Sequence, residues 1–144
     1  MLFRSVEIPG TAPLRDGEDI DRALEKLRDT GADSVVSFVE ALHSHPLRLK
    51  RFIDDRVHDF SEHFPEGEGV RRQDLEPCYV RNGAVFAMTR RCILELYSRY
   101  GADSRPYVMP EHKSVNIDSP FDLMLAKALI AEGYCNNRPE RRQR

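Results

Sequence analysis

Asn116-Ile117-Asp118 stands directly ahead of a helix start, and strand alternation puts Asn116 and Asp118 on one side. Two hard oxygen ligands so placed can hold Mg²⁺, which takes one or two carboxylates together with substrate phosphates. The plainer role for Asp118 is a share in capping the helix that follows. Arg71, Arg72 and Arg81 lie near Gln73 and Asn82. Arginine forks grip carboxylates and phosphates through paired hydrogen bonds, although a run of solvated charge has the same composition. His43 and His45 can share a metal, but no third ligand has helpful spacing. Pro9-Gly10-Thr11-Ala12-Pro13-Leu14-Arg15 forms a rigid loop after a strand, the edge at which open α/β sheets bind ligands. A simple strand-to-helix turn is the alternative for that loop.

These groups need elements to hold them. Val6-Glu7-Ile8 reads as a short strand broken by Pro9-Gly10. Asp16 caps a helix with Ile20, Ala23, Leu24 and Leu27 on one face, stopped by Gly31. Ser34 to Val39 is a β-branched strand, so strand, helix and strand make a βαβ unit with a parallel sheet. Leu49–Ile53 and Arg56–Phe60 flank Asp54-Asp55 as two short strands, and residues 61 to 76 form a charged loop or arm. Tyr79 to Met88 is again a strand. Thr89 starts a helix carrying Ile93, Leu96, Tyr97 and Tyr100, closed by Gly101. Tyr107–Met109 and Ser114–Ile117 read as strands. Ser119-Pro120 with Asp122 starts a last helix, reaching Glu132, whose sides are nearly all apolar and therefore call for burial on several sides. Residues 133–144 form a basic tail expected to be disordered.

The 144 residues suit one domain, with 40% apolar and 32% charged residues. A net charge of −2 argues against a nucleic-acid binder, and no apolar run approaches a membrane span. Three cysteines with no C-x-x-C pair argue against a disulfide framework or a thiolate zinc site, and reduced cytosol is the expected compartment.

The segments follow a recognisable order. It runs through Ile8–Arg15, Asp19-Ile20-Asp21, Ala32–Ser37 and His45-Pro46-Leu47. It continues through Arg71–Leu75, Arg81–Phe86, Arg105–Pro110 and Ser114–Leu123. The set resembles the acylneuraminate cytidylyltransferases, or CMP-sialic acid synthetases, over about residues 5 to 132. The resemblance implies a Rossmann-like nucleotidyltransferase fold with a mostly parallel sheet and a dimerisation arm over 45–78. It also implies a homodimer that uses Mg²⁺ to couple CTP to a nine-carbon α-keto acid sugar, releasing pyrophosphate. By position, Asp118 matches a metal-binding aspartate, and Asn116 stands where many members have its aspartate partner. Arg72 and Gln73 match an arm that reaches the neighbouring subunit's sugar acid. Arg48 falls where some members point a lysine at substrate. Asn82 and Phe86 match the strand lining the sugar pocket, and Thr11 and Arg15 match the proline-rich loop beside nucleotide and sugar. Pro9 replaces a glutamine used by many members. The family's glycine-rich phosphate loop has no counterpart here, so the chain reads as a C-terminal portion expected to be inactive alone. Alternatives are a non-catalytic dimerising or sugar-binding fragment, or transfer to a related keto acid sugar.

Overall fold

The computed structural model describes residues 4–61, 66 and 71–134. Contacts divide the chain into two units, residues 1–39 with 81–144, and residues 40–80. The elements are β1 (Arg4–Glu7), α1 (Gly17–Thr30), β2 (Ser34–Glu40), β3 (Lys50–Ile53), β4 (Arg56–Asp59), β5 (Tyr79–Thr89), α2 (Arg90–Leu94), β6 (Ser104–Val108) and α3 (Pro120–Ala131).

In the larger unit, Asp16 starts α1 with a complete capping box. Its carboxylate accepts from the Asp19 N–H at 3.1 Å, and Asp19 accepts from the Asp16 N–H at 2.9 Å. Gly31 ends the helix at φ 65°, a left-handed position that glycine adopts without steric cost. The apolar face of α1 buries Ala23 and Leu27 against Val35, Val85, Ala87 and Met109. Val36, Phe86, Met88 and Cys92 form a second cluster. Neighbouring residues of β2 and β5 thus supply different clusters, which places the two on opposite sheet faces. Burying each Val or Leu side chain contributes roughly 1.5–3 kcal/mol.

The sheet order is β1-β5-β2-β6. Among the described residues, β1 pairs antiparallel with β5 and β2 pairs parallel with β6. The sheet is therefore mixed, not mostly parallel as predicted. β5 lies between β1 and β2. Ala84 to Met88 are all buried, as befits a central strand covered on both faces. Alternation within β1 and β2 carries no information about which strand will separate them.

Three other expectations change. Ser114–Ile117 is an irregular segment, held by side-chain and backbone ties rather than by a ladder. The helix after Thr89 stops at Leu94, because the Leu96 and Ser98 N–H groups turn back to the carbonyls of Arg91 and Cys92 and Tyr97 takes φ 47°. α3 buries only Ala126, while Phe121 and Met124 are about 70% exposed. Uniform apolar composition shows that every side favours cover, not that this chain supplies it. Of the predicted tail, residues from 135 onward lie outside the described residues. Among those described, no helix is long and apolar enough to cross a membrane.

In the smaller unit β3 and β4 form a hairpin. Asp54 and Asp55 turn it at φ 49° and 60°, as a two-residue turn of the primed type requires.

The buried Asp33 carboxylate organises the turn before β6, accepting from the N–H groups of Ala102 at 2.9 Å and Asp103 at 3.2 Å. The Asp103 and Ala102 N–H groups, then Arg91, hold its pKa below the usual aspartate value despite burial. A depressed carboxyl pKa gives stability that is present above the ordinary aspartate range and lost as pH falls through the folded value. Asp33→Asn is expected to be less stable at neutral pH and to have a flatter stability profile below about pH 5. Thermal unfolding across pH tests this; parallel profiles would remove Asp33 from the acid response.

Candidate functional site

The loop after β1 is folded around Arg15. Its guanidinium donates to the carbonyls of Pro9 at 2.7 Å, Ala12 at 2.5 Å and Ile8 at 3.3 Å. Burial lowers the Arg15 pKa. Ala12 and Leu14 anchor the loop in the interior, which leaves Thr11 on the outside.

The segment from Met109 to Ser119 comes to this loop through successive ties. The Met109 N–H donates to the Phe38 carbonyl at 2.8 Å. Lys113 Nζ reaches Asp16 Oδ2 at 2.6 Å and Asp19 Oδ2 at 3.2 Å, fastening the segment to the α1 capping box. Burial lowers the Lys113 pKa, but hydrogen bonds to Asp16 and Asp19 more than reverse this and leave it raised. Tyr107 donates to Asp19 at 3.0 Å, and burial followed by that bond pushes the phenol up to about 12. Asn82 lies beneath, buried. Its Oδ1 accepts from Ser37 Oγ at 2.6 Å and the Ala84 N–H at 3.2 Å, while its Nδ2 donates to Ser114 Oγ at 2.9 Å. The Ile117 N–H then donates to the Thr11 carbonyl at 2.7 Å.

That last bond joins two stretches that the sequence marked separately. Asn116 and Asp118 flank it, and Asn116 Nδ2 donates to Asp118 Oδ2 at 2.5 Å. The side chains are thus neighbours, as their spacing indicated, although no strand holds them. Asp118 is exposed, and its N–H donates to Asp122 Oδ2 at 3.1 Å. Asp122 also accepts from Ser119 N at 2.8 Å and Ser119 Oγ at 2.7 Å. The Ser119 hydroxyl holds the Asp122 pKa down, ahead of the Asp118 and Ser119 N–H groups. The two nearby carboxylates therefore divide their work: Asp122 caps α3, and Asp118 points out beside Thr11's loop.

The structure brings together Thr11, Arg15, Asn116 and Asp118, with Asn82 fixing Ser114 underneath. Phe86 belongs to the other cluster, with the guanidinium carbons of Arg81 and Arg99 5.9 and 5.5 Å from its ring centre. Arg48 and Gln73 belong to the smaller unit and are exposed. The Arg72 side chain lies outside the described part. In the smaller unit a pocket of about 70 Å³ is lined by His43, His45, Arg48, Glu76 and Cys78 among others. His45 Nδ1 accepts from the Leu47 N–H at 3.3 Å and its Nε2 lies 3.2 Å from the Glu76 carbonyl, so both ring nitrogens are engaged. Among the described residues no three His, Cys, Asp or Glu side chains converge as a metal site. Lys113 was not singled out in the sequence, and Asp19 and Ser114 entered only as members of longer motifs. The only local sign was Asp19 at the third position of the capping box.

Asp118 can supply one ligand to Mg²⁺ here. Asp118 offers a carboxylate oxygen at an exposed edge, and the remaining ligands would be water and substrate phosphates, a donor set this ion commonly takes.

In this α/β unit the loop bearing Asp118 is tied to the loop that follows the edge strand β1. No protein-family model matches the chain. It is 31% identical over 114 residues to an N-acylneuraminate cytidylyltransferase of Streptococcus agalactiae, covering 79% of this chain and 27% of that protein. It is 25% identical over 127 residues to the post-translational flagellin modification protein B of Campylobacter coli, covering 88% and 52%. A CMP-N,N'-diacetyllegionaminic acid synthase of Campylobacter jejuni is 32% identical over 66 residues, covering 46% and 28%. The chain is thus related by sequence to the N-acylneuraminate cytidylyltransferases and to a CMP-legionaminic acid synthase, and it spans from about a quarter to about half of these relatives' lengths.

Proposed function

We propose that this chain forms part of a cytosolic cytidylyltransferase that couples CTP to a sialic-acid-like α-keto acid sugar and releases pyrophosphate. The observation that carries the reading is the 2.7 Å bond from Ile117 to Thr11, which brings Asp118 to the proline-rich loop. Relatives named as cytidylyltransferases supply the chemistry.

Asp118 would hold Mg²⁺, which when bound offsets charge on the reacting phosphates. Thr11 presents its hydroxyl beside nucleotide and sugar. Arg15 and Asn82 act from beneath, one shaping the Thr11 loop and the other fixing Ser114. Phe86 supplies a packed floor under Arg81 and Arg99, next to the sugar. Most of the rate enhancement on this reading comes from positioning and fixed charge.

Arg48, Arg72 and Gln73 sit on the arm and act in a homodimer, with Arg72 and Gln73 meeting the neighbouring subunit's sugar carboxylate. The hairpin in that arm supports a second copy. Phe52 and Val57 stand directly opposite each other and are 78% and 67% exposed. A two-stranded hairpin with such a face is marginal in water without cover.

Pyrophosphate release from CTP and sialic acid, measured on the complete protein that contains this sequence, tests the reading. Turnover is expected there. The 144-residue chain alone is expected to give none and to bind CTP poorly, because triphosphate binding needs convergent N–H groups such as a glycine-rich loop supplies. Gly67 and Gly69 stand among glutamates, and Gly10 stands between prolines. Micromolar CTP binding by the short chain in calorimetry would place the nucleotide site within it. No turnover by the complete protein with any keto acid sugar would end the reading.

A further inference from the structure

Asn116 and Asp118 sit on a prepared frame. The Ile117 N–H bond to Thr11 fixes the backbone between them, and Asp122 Oδ2 takes the Asp118 N–H at 3.1 Å. Between the side chains the separation is 2.5 Å, from Asn116 Nδ2 to Asp118 Oδ2. An ionised carboxylate only accepts hydrogen bonds, so the amide turns its N–H to it and its own oxygen points elsewhere. A cation approaching Asp118 Oδ2 meets that donor rather than a second ligand. The other Asp118 oxygen is one ligand for an ion that takes an octahedral set at 2.0–2.1 Å.

We propose that Asn116 is a brace for Asp118 and not a metal ligand, so that Mg²⁺ reaches Asp118 only when it arrives already held by the phosphates of a nucleoside triphosphate. The nucleotide half of this rests on the reading above, that the site handles CTP. The brace itself follows from the donor direction. It also sets what Asn116→Asp should do. Two oxygens on one octahedral ion at those bond lengths stand about 2.9 Å apart. That is a few tenths of an ångström beyond the present separation of 2.5 Å. The variant therefore offers two adjacent carboxylates on a rigid loop, ready to bridge a free ion.

The experiment is a titration of the isotope-labelled 144-residue chain with MgCl₂ alone, followed by NMR at the amides of residues 116 to 122. The unsubstituted chain and Asn116→Ala are expected to show no saturable shift. Asn116→Asp is expected to saturate, at least about tenfold more tightly, and to gain thermal stability from Mg²⁺. Saturation of the unsubstituted chain by free Mg²⁺ overturns the proposal. So does an Asn116→Asp variant that binds no more tightly than Asn116→Ala. If like-charge repulsion unfolds Asn116→Asp in the absence of the ion, refolding by Mg²⁺ but not by NaCl of equal ionic strength supports the brace, and failure to refold overturns it. No nucleotide is present, so the outcome is independent of the pyrophosphate assay that tests the cytidylyltransferase reading.

Discussion

Asp118→Asn in the complete protein is expected to lower turnover about a hundredfold or more while leaving the fold intact. A bound metal contributes several kcal/mol to transition-state charge, and each 1.36 kcal/mol is about a factor of ten in rate. The substitution keeps the side-chain shape and removes the charge. The tie from the residue 118 N–H to Asp122 comes from the backbone and survives, as does the Ile117 bond to Thr11. The loss should therefore appear in kcat, with the melting temperature nearly unchanged. Subunits carrying Asp118→Asn mixed with subunits carrying Arg72→Ala should recover part of the activity, because a mixed dimer has one site with both residues intact. Near-normal turnover of Asp118→Asn at saturating Mg²⁺ would remove the metal role. Confirmed mixed dimers that stay inactive would put Arg72 in its own subunit's site.

The signals that could be read in advance are those confined to a few residues. Asp16 with Asp19, and Ser119 with Pro120 and Asp122, spell capping boxes, and both boxes are closed in the structure. The two short strands around Asp54-Asp55 were legible as well, and they pair as a hairpin. Strand order was not legible in the same way. β1 and β2 belong to adjacent segments, yet β5 arrives from much later in the chain to part them. The continuous apolar run from Ala84 to Met88 was the available sign of a central strand, since a strand covered on both faces has no alternation. The same limit governs the site. The i, i+2 spacing of Asn116 and Asp118 predicts that they are neighbours, but not that the amide would turn its N–H to the carboxylate. Lys113 reaches Asp16 across 97 residues, and nothing near either residue announces the pair.

Gly101→Ala is expected to cost about 3 kcal/mol, the sum of two strains at one position. Gly101 has φ +68°, where a side chain costs roughly 1–2 kcal/mol. A Cβ there would also stand 2.8 Å from both Asp33 Cγ and Oδ2, and closer still to Asp33 Cβ. Overpacking of this kind typically adds about 1–3 kcal/mol. Asp33 cannot step aside cheaply. Its carboxylate takes the N–H groups of Ala102 and Asp103, and its own N–H donates to the Asp103 carbonyl at 2.9 Å. Ser34 ties the same turn from the next residue, with Oγ donating to the Tyr100 carbonyl at 2.7 Å. Movement of Asp33 would thus break the turn that leads into β6, and with it the parallel pairing of β2 with β6. Gly31→Ala separates the two contributions. Gly31 has φ +65° and nothing within 4 Å of an added Cβ, so it should lose only about 1 kcal/mol. Denaturant unfolding of both variants, with m-values compared, is the measurement. Equal losses at the two glycines would show that Asp33 yields to the methyl group and that the turn is not wound tightly around its carboxylate.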